Sequence, residues 1–409
     1  MVATVWNPLE TVVEAGDDSS RTFDVFWAGK TPADVQRKRG DLAAEIDFGL
    51  APVSRNMVIL YAYQAGRYPY AGPHELKLDP EWMDRHFQRL ERMLDRHIPD
   101  PDFDGYATIH YESWDVLWEL LGEVESDEDA SARDLDYKAD WRDYIEEHEP
   151  QRVEGLSADE REEVFAETYE ETAREFLLDT LRECKRLRPD TKWSYDYFPH
   201  KIYRLPELTD EGVLGYGDLS HRASELNDEL EWLWEEMDFI SSNLYQIKYT
   251  LKEISNNKDG SYNTKEANAE FMWSNILERL RVASGKPVYV MLWSYYGGAH
   301  RDTYLNKINR RQTLEIPLLA GADGVIIWHS VHGRSEQRSF QKHVRSTLVK
   351  EILRLYNKHD IVPSEHNNLP SWLDGPKIVR NSKSAKSKSA KSKSKSKKKK
   401  KKKKDKDKD

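Results

Sequence analysis

Short apolar runs of strand length recur along the chain, separated by longer segments whose apolar residues repeat every three or four positions. Residues 23–27 (FDVFW), 57–63 (MVILYAY), 105–111, 192–198 (KWSYDYF), 238–245, 287–293 (PVYVMLW) and 322–328 (ADGVIIW) read as strands. Residues 80–97, 157–188, 225–236, 306–319 and 339–356 read as helices, as does a stretch around Phe271, Ile276, Leu277 and Leu280. The clearest helix sets Phe165, Tyr169, Ala173, Phe176, Leu177, Leu181, Cys184 and Leu187 on one stripe. Ser157 with Glu160 three residues on predicts a capping box at its start, and Pro189 ends it. Strand and helix alternate about seven times, which predicts a parallel α/β fold. The strand count, and the lack of a Gly-rich dinucleotide turn, favour a closed barrel over an open sheet.

Charge divides the 409 residues into unlike parts. From Asn381 onward there are 16 Lys against 3 Asp, so within a total of −11 the first 380 residues carry −24. An acidic body argues against a nucleic-acid-binding fold. The tail at 381–409, with eight consecutive lysines from Lys397 to Lys404, repels itself and cannot bury a core. It reads either as an inert extension or as a polyanion-binding or targeting segment. Residues 1–20 read as a loosely ordered lead-in, 21–360 as the barrel and 361–380 as a linker. One cysteine, Cys184, rules out an intrachain disulfide and fits a small buried apolar residue. No apolar run approaches the length of a membrane span, and no leader is visible at the start. With the single cysteine, these features point to the cytoplasm or to export by an unconventional route.

The segment 98–118 (IPDPDFDGYATIHYESWDVLW) carries the chemistry. A strand over 105–111 ends in His110 and Glu112, which project to one side roughly 6–7 Å apart along the strand. A helix-like run with Trp114 and Trp118 follows. A carboxyl group leaving the C-terminal end of a strand is where α/β barrels keep their active sites. Thirteen Trp and 21 Tyr supply aromatic surface for a cleft, or simply for core.

This segment resembles the hyaluronidase family of glycoside hydrolases, and the resemblance runs over about residues 22–357. FDVFWAGKTP, AGRYPY, the 165–199 stretch ending in KWSYDYFP, NDELEWLWEEMDFISSNLY and GADGVIIWHS are similar to the family's successive motifs, in the family's order. The resemblance implies a distorted TIM-like (β/α) barrel of seven or eight parallel strands and a glycosidase needing no cofactor. It matches Glu112 to the family's general acid, Tyr245 to a cleft tyrosine, Trp328 to the tryptophan closing the sugar pocket and Ser330 to a serine two residues on. Tyr195 is a further candidate sugar contact. Two positions depart: His110 stands where the family has Asp, and Asp196 where it has a pocket tyrosine. In the family those two groups help the substrate's N-acetyl group attack its own anomeric carbon.

Glycoside cleavage needs an acid for the leaving oxygen and a group that stabilises or traps the oxocarbenium-like carbon. Glu112 is the acid, and Asp196 is the candidate second carboxylate, with His110 orienting one of the two. Each residue has a plainer reading as well. His110 is equally a packed, hydrogen-bonded histidine, Asp196 a structural hydrogen-bond acceptor, and Tyr245 and Trp328 core aromatics. His110, Glu112 and Asp196 form a conceivable metal set, and His329 and His332 lie near the last strand, but no metal motif is present. The function expected is an endo-acting glycosidase of a polysaccharide or oligosaccharide substrate. The alternative is a catalytically silent barrel of the same type that binds a glycan.

Overall fold

The computed structural model of the protein describes residues 22–30, 42–121, 136–199, 208–209, 212–213, 223–246, 264–297 and 302–362. The expected lead-in, the acidic stretch 123–133, the Lys-rich tail and all but the first two residues of the expected linker lie outside them. Seven parallel strands make the frame: β1 (Asp24–Trp27), β2 (Met57–Tyr61), β3 (Tyr106–His110), β4 (Lys192–Tyr195), β5 (Ile240–Asn243), β6 (Val288–Trp293) and β7 (Gly324–Trp328). β2, β3 and β4 pair in that order, and β5, β6, β7 and β1 pair in that order. Two seams join these halves. At one, Trp27 N donates to Ser54 O and Ser54 N to Val25 O, both at 2.8 Å. At the other, Asp238 N donates to Trp193 O at 2.8 Å.

Among the described residues helices follow every strand but β1. Around the barrel run α1 (Trp82–His97), α2 (Tyr137–His148), α3 (Ala158–Leu187), α4 (Glu231–Glu236), α5 (Thr264–Ala283), α6 (Lys307–Ala320), α7 (Arg334–His343) and α8 (Val349–Lys358). The Ser157–Glu160 capping box forms, and Cys184 is fully buried on the inner stripe of α3, with burial pushing its thiol pKa up. The helix expected over 339–356 starts earlier, at Arg334, and passes through a π turn at Val344–Leu348. The helix-like run expected after His110 is irregular, with only a 3-10 turn at Trp118–Leu120. Side chains there take the backbone's partners: Asp115 Oδ1 accepts from Leu117 N at 3.1 Å, and Glu170 Oε1 of α3 accepts from Trp118 N at 2.8 Å.

The two-residue period of the strands sorts the core into layers. Val25, Trp27, Val288, Val290, Leu292, Val325 and Ile327 face outward into the helix layer. Phe26, Met57, Tyr289, Met291 and Ile326 face inward. Low in the barrel, Phe26, Tyr106, Phe239 and Tyr289 form a plug with ring centroids 5.1–5.8 Å apart, and Tyr289 OH donates to Tyr106 OH at 3.1 Å. This plug fills the N-terminal end, and among the described residues the barrel interior opens towards the C-terminal ends of the strands. β1 and β7 lie so close at Gly324 that a Cβ there would sit 2.3 Å from Asp24 O.

Two aspartates fasten neighbouring strands. Asp323 Oδ2 accepts from Val288 N, and Asp238 Oδ2 from Trp193 N, each at 2.8 Å. Asp238 Oδ1 also accepts from Lys185 Nζ of α3 at 3.0 Å. Asp238→Ala leaves a strand amide without this partner at the β4–β5 seam. It should lower the unfolding free energy by about 1–3 kcal/mol in a denaturant titration, and an unchanged midpoint would contradict this role.

Candidate active site

At the C-terminal end of the barrel the inward phase of every strand ends in a side chain with chemistry. Tyr61 closes β2 and pairs in register with His110, which closes β3; Asp196 follows directly on β4. Asp196 N donates to Ile109 O at 3.2 Å, which holds it beside His110. Trp293 of β6 is in register with Trp328 of β7, and Lys30, beyond β1, bridges Ser330. With Asn243 at the end of β5 and Tyr245 beyond it, these residues line a cavity of about 610 Å³.

His110 stands between two carboxylates. Its Nδ1 is 2.7 Å from Asp196 Oδ1, and its Nε2 is 3.1 Å from Glu112 Oε2. Asp196 is only 1% exposed, and its Oδ2 is buried with no hydrogen-bond partner among the described residues. The Glu112 side chain is 62% exposed at the mouth. Burial opposes charge on His110, but the adjoining Asp196 charge and hydrogen bond, with those of Glu112, outweigh it and raise the pKa to about 10. The imidazole is therefore protonated at neutral pH, with both N–H groups directed at carboxylates.

Aromatic rings wall the cavity. Trp328 lies nearly parallel to Tyr245 with centroids 6.0 Å apart, and Trp293 stands 5.5 Å from Trp328. Trp328 Nε1 donates to Tyr61 OH at 2.6 Å, and Tyr245 OH donates to Met291 Sδ at 3.6 Å. Burial raises the Tyr61 pKa, so its phenol stays neutral. Tyr61 also meets His110 edge-on at 5.3 Å and carries the Lys30 ammonium 3.5 Å above its ring. Ser330 Oγ lies 3.0 Å from His332 Nε2, and His332 N donates to Glu336 Oε2 at 2.8 Å.

Glu112, His110, Asp196, Tyr245, Trp328 and Ser330 thus come together. Tyr195 does not. It is fully buried in the outer layer, its hydroxyl donating to Leu177 O of α3 at 2.8 Å. Adjacent strand residues point to opposite faces, so Tyr195 and Asp196 cannot share a cleft. Lys30, Tyr61, Asn243 and Trp293 were missed. All four sit on the inward phase of their strands, two residues apart from inward core positions such as Ala28, Ile59, Ser241 and Met291. Among the described residues no group of three or more His, Cys, Asp or Glu has an arrangement that could hold a metal ion, and no helix is long and apolar enough to cross a membrane.

A barrel of parallel strands with paired ionisable groups and an aromatic bed at its C-terminal mouth has the architecture of a glycoside hydrolase. Comparison with known proteins narrows the class. A family model described as hyaluronidase matches residues 22–360, and the chain belongs to that family of glycoside hydrolases. A chondroitin hydrolase from Caenorhabditis elegans is 25% identical over 304 residues, 72% of this chain and 60% of that protein. A hyaluronidase from Polistes annularis is 23% identical over 352 residues, 80% of this chain and 86% of that protein. The crystal structure of bee venom hyaluronidase in complex with a hyaluronic acid tetramer matches with a TM-score of 0.58 at 20% identity. That match covers 81% of this chain and 99% of the other. The fold is the one that the resemblance implied.

The charge on His110 has a measurable consequence. Its pKa lies above the ordinary value of 6.5, so its stabilising effect is fully present below about 6.5 and is lost as pH climbs through about 10. In an imidazole nitrogen NMR titration His110 should stay protonated through neutral pH. Asp196→Asn should bring its titration down by about one pH unit or more. Titration near 6.5 in both proteins would refute the pairing.

Proposed function

We propose that this chain is an endo-acting hydrolase of hyaluronan-type polysaccharides, in which Glu112 delivers a proton to the leaving oxygen and Asp196 acts through His110. The observation that carries the reading is the hydrogen-bonded line Asp196–His110–Glu112 at the mouth of an aromatic-walled cleft. The substrates named for the relatives, hyaluronan and chondroitin, support the polymer class. The exposed position of Glu112 suits a bond within a long chain rather than one at a chain end held in a closed pocket.

Asp196 keeps a proton on His110 Nδ1 and fixes the ring. The Nε2 proton is shared with Glu112, and it passes through Glu112 to the glycosidic oxygen as the bond to the anomeric carbon breaks. His110 is then neutral, and the developing positive charge on the sugar faces the Glu112 carboxylate, with the Asp196 charge behind the ring. The imidazole between them separates the carboxylates beyond the roughly 5–5.5 Å of a retaining double displacement. Asp196 also lies behind the ring, so attack on the anomeric carbon is left to water or to an acetamido group of the substrate. Trp328, Tyr245 and Trp293 offer the stacking surface that orients the sugar.

Reducing-end release from hyaluronan, chondroitin, chitin and neutral and uronic-acid polymers tests this reading. Glu112→Gln should keep binding and lose about 10²–10⁴-fold in kcat/KM on whichever polymer the wild type cleaves. Asp196→Asn should move the alkaline limb of the pH profile to lower pH, because His110 then gives up its proton earlier. No release from any polymer, with binding intact in wild type and variant, would contradict a hydrolase and leave a silent glycan-binding barrel.

A further inference from the structure

We propose that Lys30 is the carboxylate-binding group of the cleft, holding a uronic acid residue of the polymer beside the bond at Glu112. The proposal rests on the glycosidase reading of the same cleft and adds a specificity determinant to it. Lys30 continues the inward phase of β1 after Phe26 and Ala28. Its backbone is pinned across the barrel mouth: Lys30 N donates to His329 O, and Val331 N donates to Lys30 O, both at 2.8 Å. The ammonium is held as well, 3.5 Å above Tyr61 and 5.9 Å from the centroid of Tyr63. Tyr61 in turn is tied to Trp328 at 2.6 Å.

Charge says what this ammonium lacks. Burial lowers the Lys30 pKa, against the opposing pull of Glu112. Among the described residues Lys30 has no carboxylate within 4.0 Å. The other carboxylates lining the cleft are already engaged, Asp302 by the Thr303 hydroxyl at 3.3 Å. Glu112 and Asp196 flank His110, and Glu336 accepts from His332 N. A half-buried ammonium that rests, among the described residues, on an aromatic face gains most from an anion that arrives with a ligand. His110 and Lys30 both contact Tyr61, one at its edge and one over its face, so an anion on Lys30 belongs to a sugar next to the proton donor.

Lys30→Met keeps the aliphatic stem over Tyr61 and removes the charge. Hydrolysis of hyaluronan and of hyaluronan with its carboxyl groups reduced to alcohols should be compared for wild type, Lys30→Met and Lys30→Arg. Lys30→Met should raise KM for hyaluronan by about 10–100-fold with little change in kcat, and should leave KM for the reduced polymer nearly unchanged. Lys30→Arg should recover a large part of the loss. Equal losses on both polymers, or a fall in kcat alone, would overturn the proposal and make Lys30 a modulator of Glu112. If the wild type cleaves neither polymer, the glycosidase reading fails by itself, and calorimetric affinities for the two sets of oligosaccharides apply the same criterion to Lys30. A wild-type preference for the carboxylated ligand that Lys30→Met abolishes sustains the subsite; its absence removes it.

Discussion

The parallel register at the C-terminal rim of the barrel is the constraint on which the site depends. Tyr61 pairs with His110, Ile109 with Tyr195, and Trp293 with Trp328, so one row of residues around the mouth is set by backbone hydrogen bonds rather than by loops. A slip of one residue in β4 would turn Asp196 into the helix layer and bring Tyr195 to the cleft. The aromatic plug below, built from Phe26, Tyr106, Phe239 and Tyr289, makes this rim the floor of a cleft instead of the entrance to a pore.

Within that row the electrostatics depend on one neighbour. A carboxylate as buried as Asp196 is costly unless it is paired, and the His110 imidazolium at 2.7 Å is its partner. The imidazolium is itself mostly buried, and it holds its proton because carboxylates lie on both sides. Removing either end leaves an uncompensated charge in the wall. The line ties β3 to the end of β4 at the rim, and in the proposed mechanism it carries a proton to an exposed carboxyl group where a polymer can reach it.

The strands were legible because β-branched and aromatic runs of five to eight residues stand between amphipathic helices, and the helices followed from their stripes. Less was legible where side chains compete with the backbone. The run after Glu112 has aromatic residues at helix-like spacing, yet Asp115 and Glu170 divert its backbone hydrogen bonds and it stays irregular. In the site, His110 and Glu112 were legible as the polar pair ending their strand, Tyr245, Trp328 and Ser330 came from resemblance, and Asp196 stood out as a departure from it. Alternation alone could have excluded Tyr195 and found Lys30 and Tyr61, since each strand's inward phase is fixed by its buried residues. The contact between Asp196 and His110 was not legible, because 86 residues separate them and only the β3–β4 register brings them together.

We place the reacting end of a polysaccharide cleft at the Asp196–His110–Glu112 line. A crystal structure of Glu112→Gln with a bound oligosaccharide of the cleaved polymer tests it most directly. The account predicts a sugar ring against Trp328 and Tyr245, with a glycosidic oxygen within hydrogen-bond reach of the residue 112 side chain and the His110–Asp196 contact intact. An oligosaccharide seated away from residue 112, or a cleft in which His110 has swung off Asp196 to admit the sugar, would contradict it.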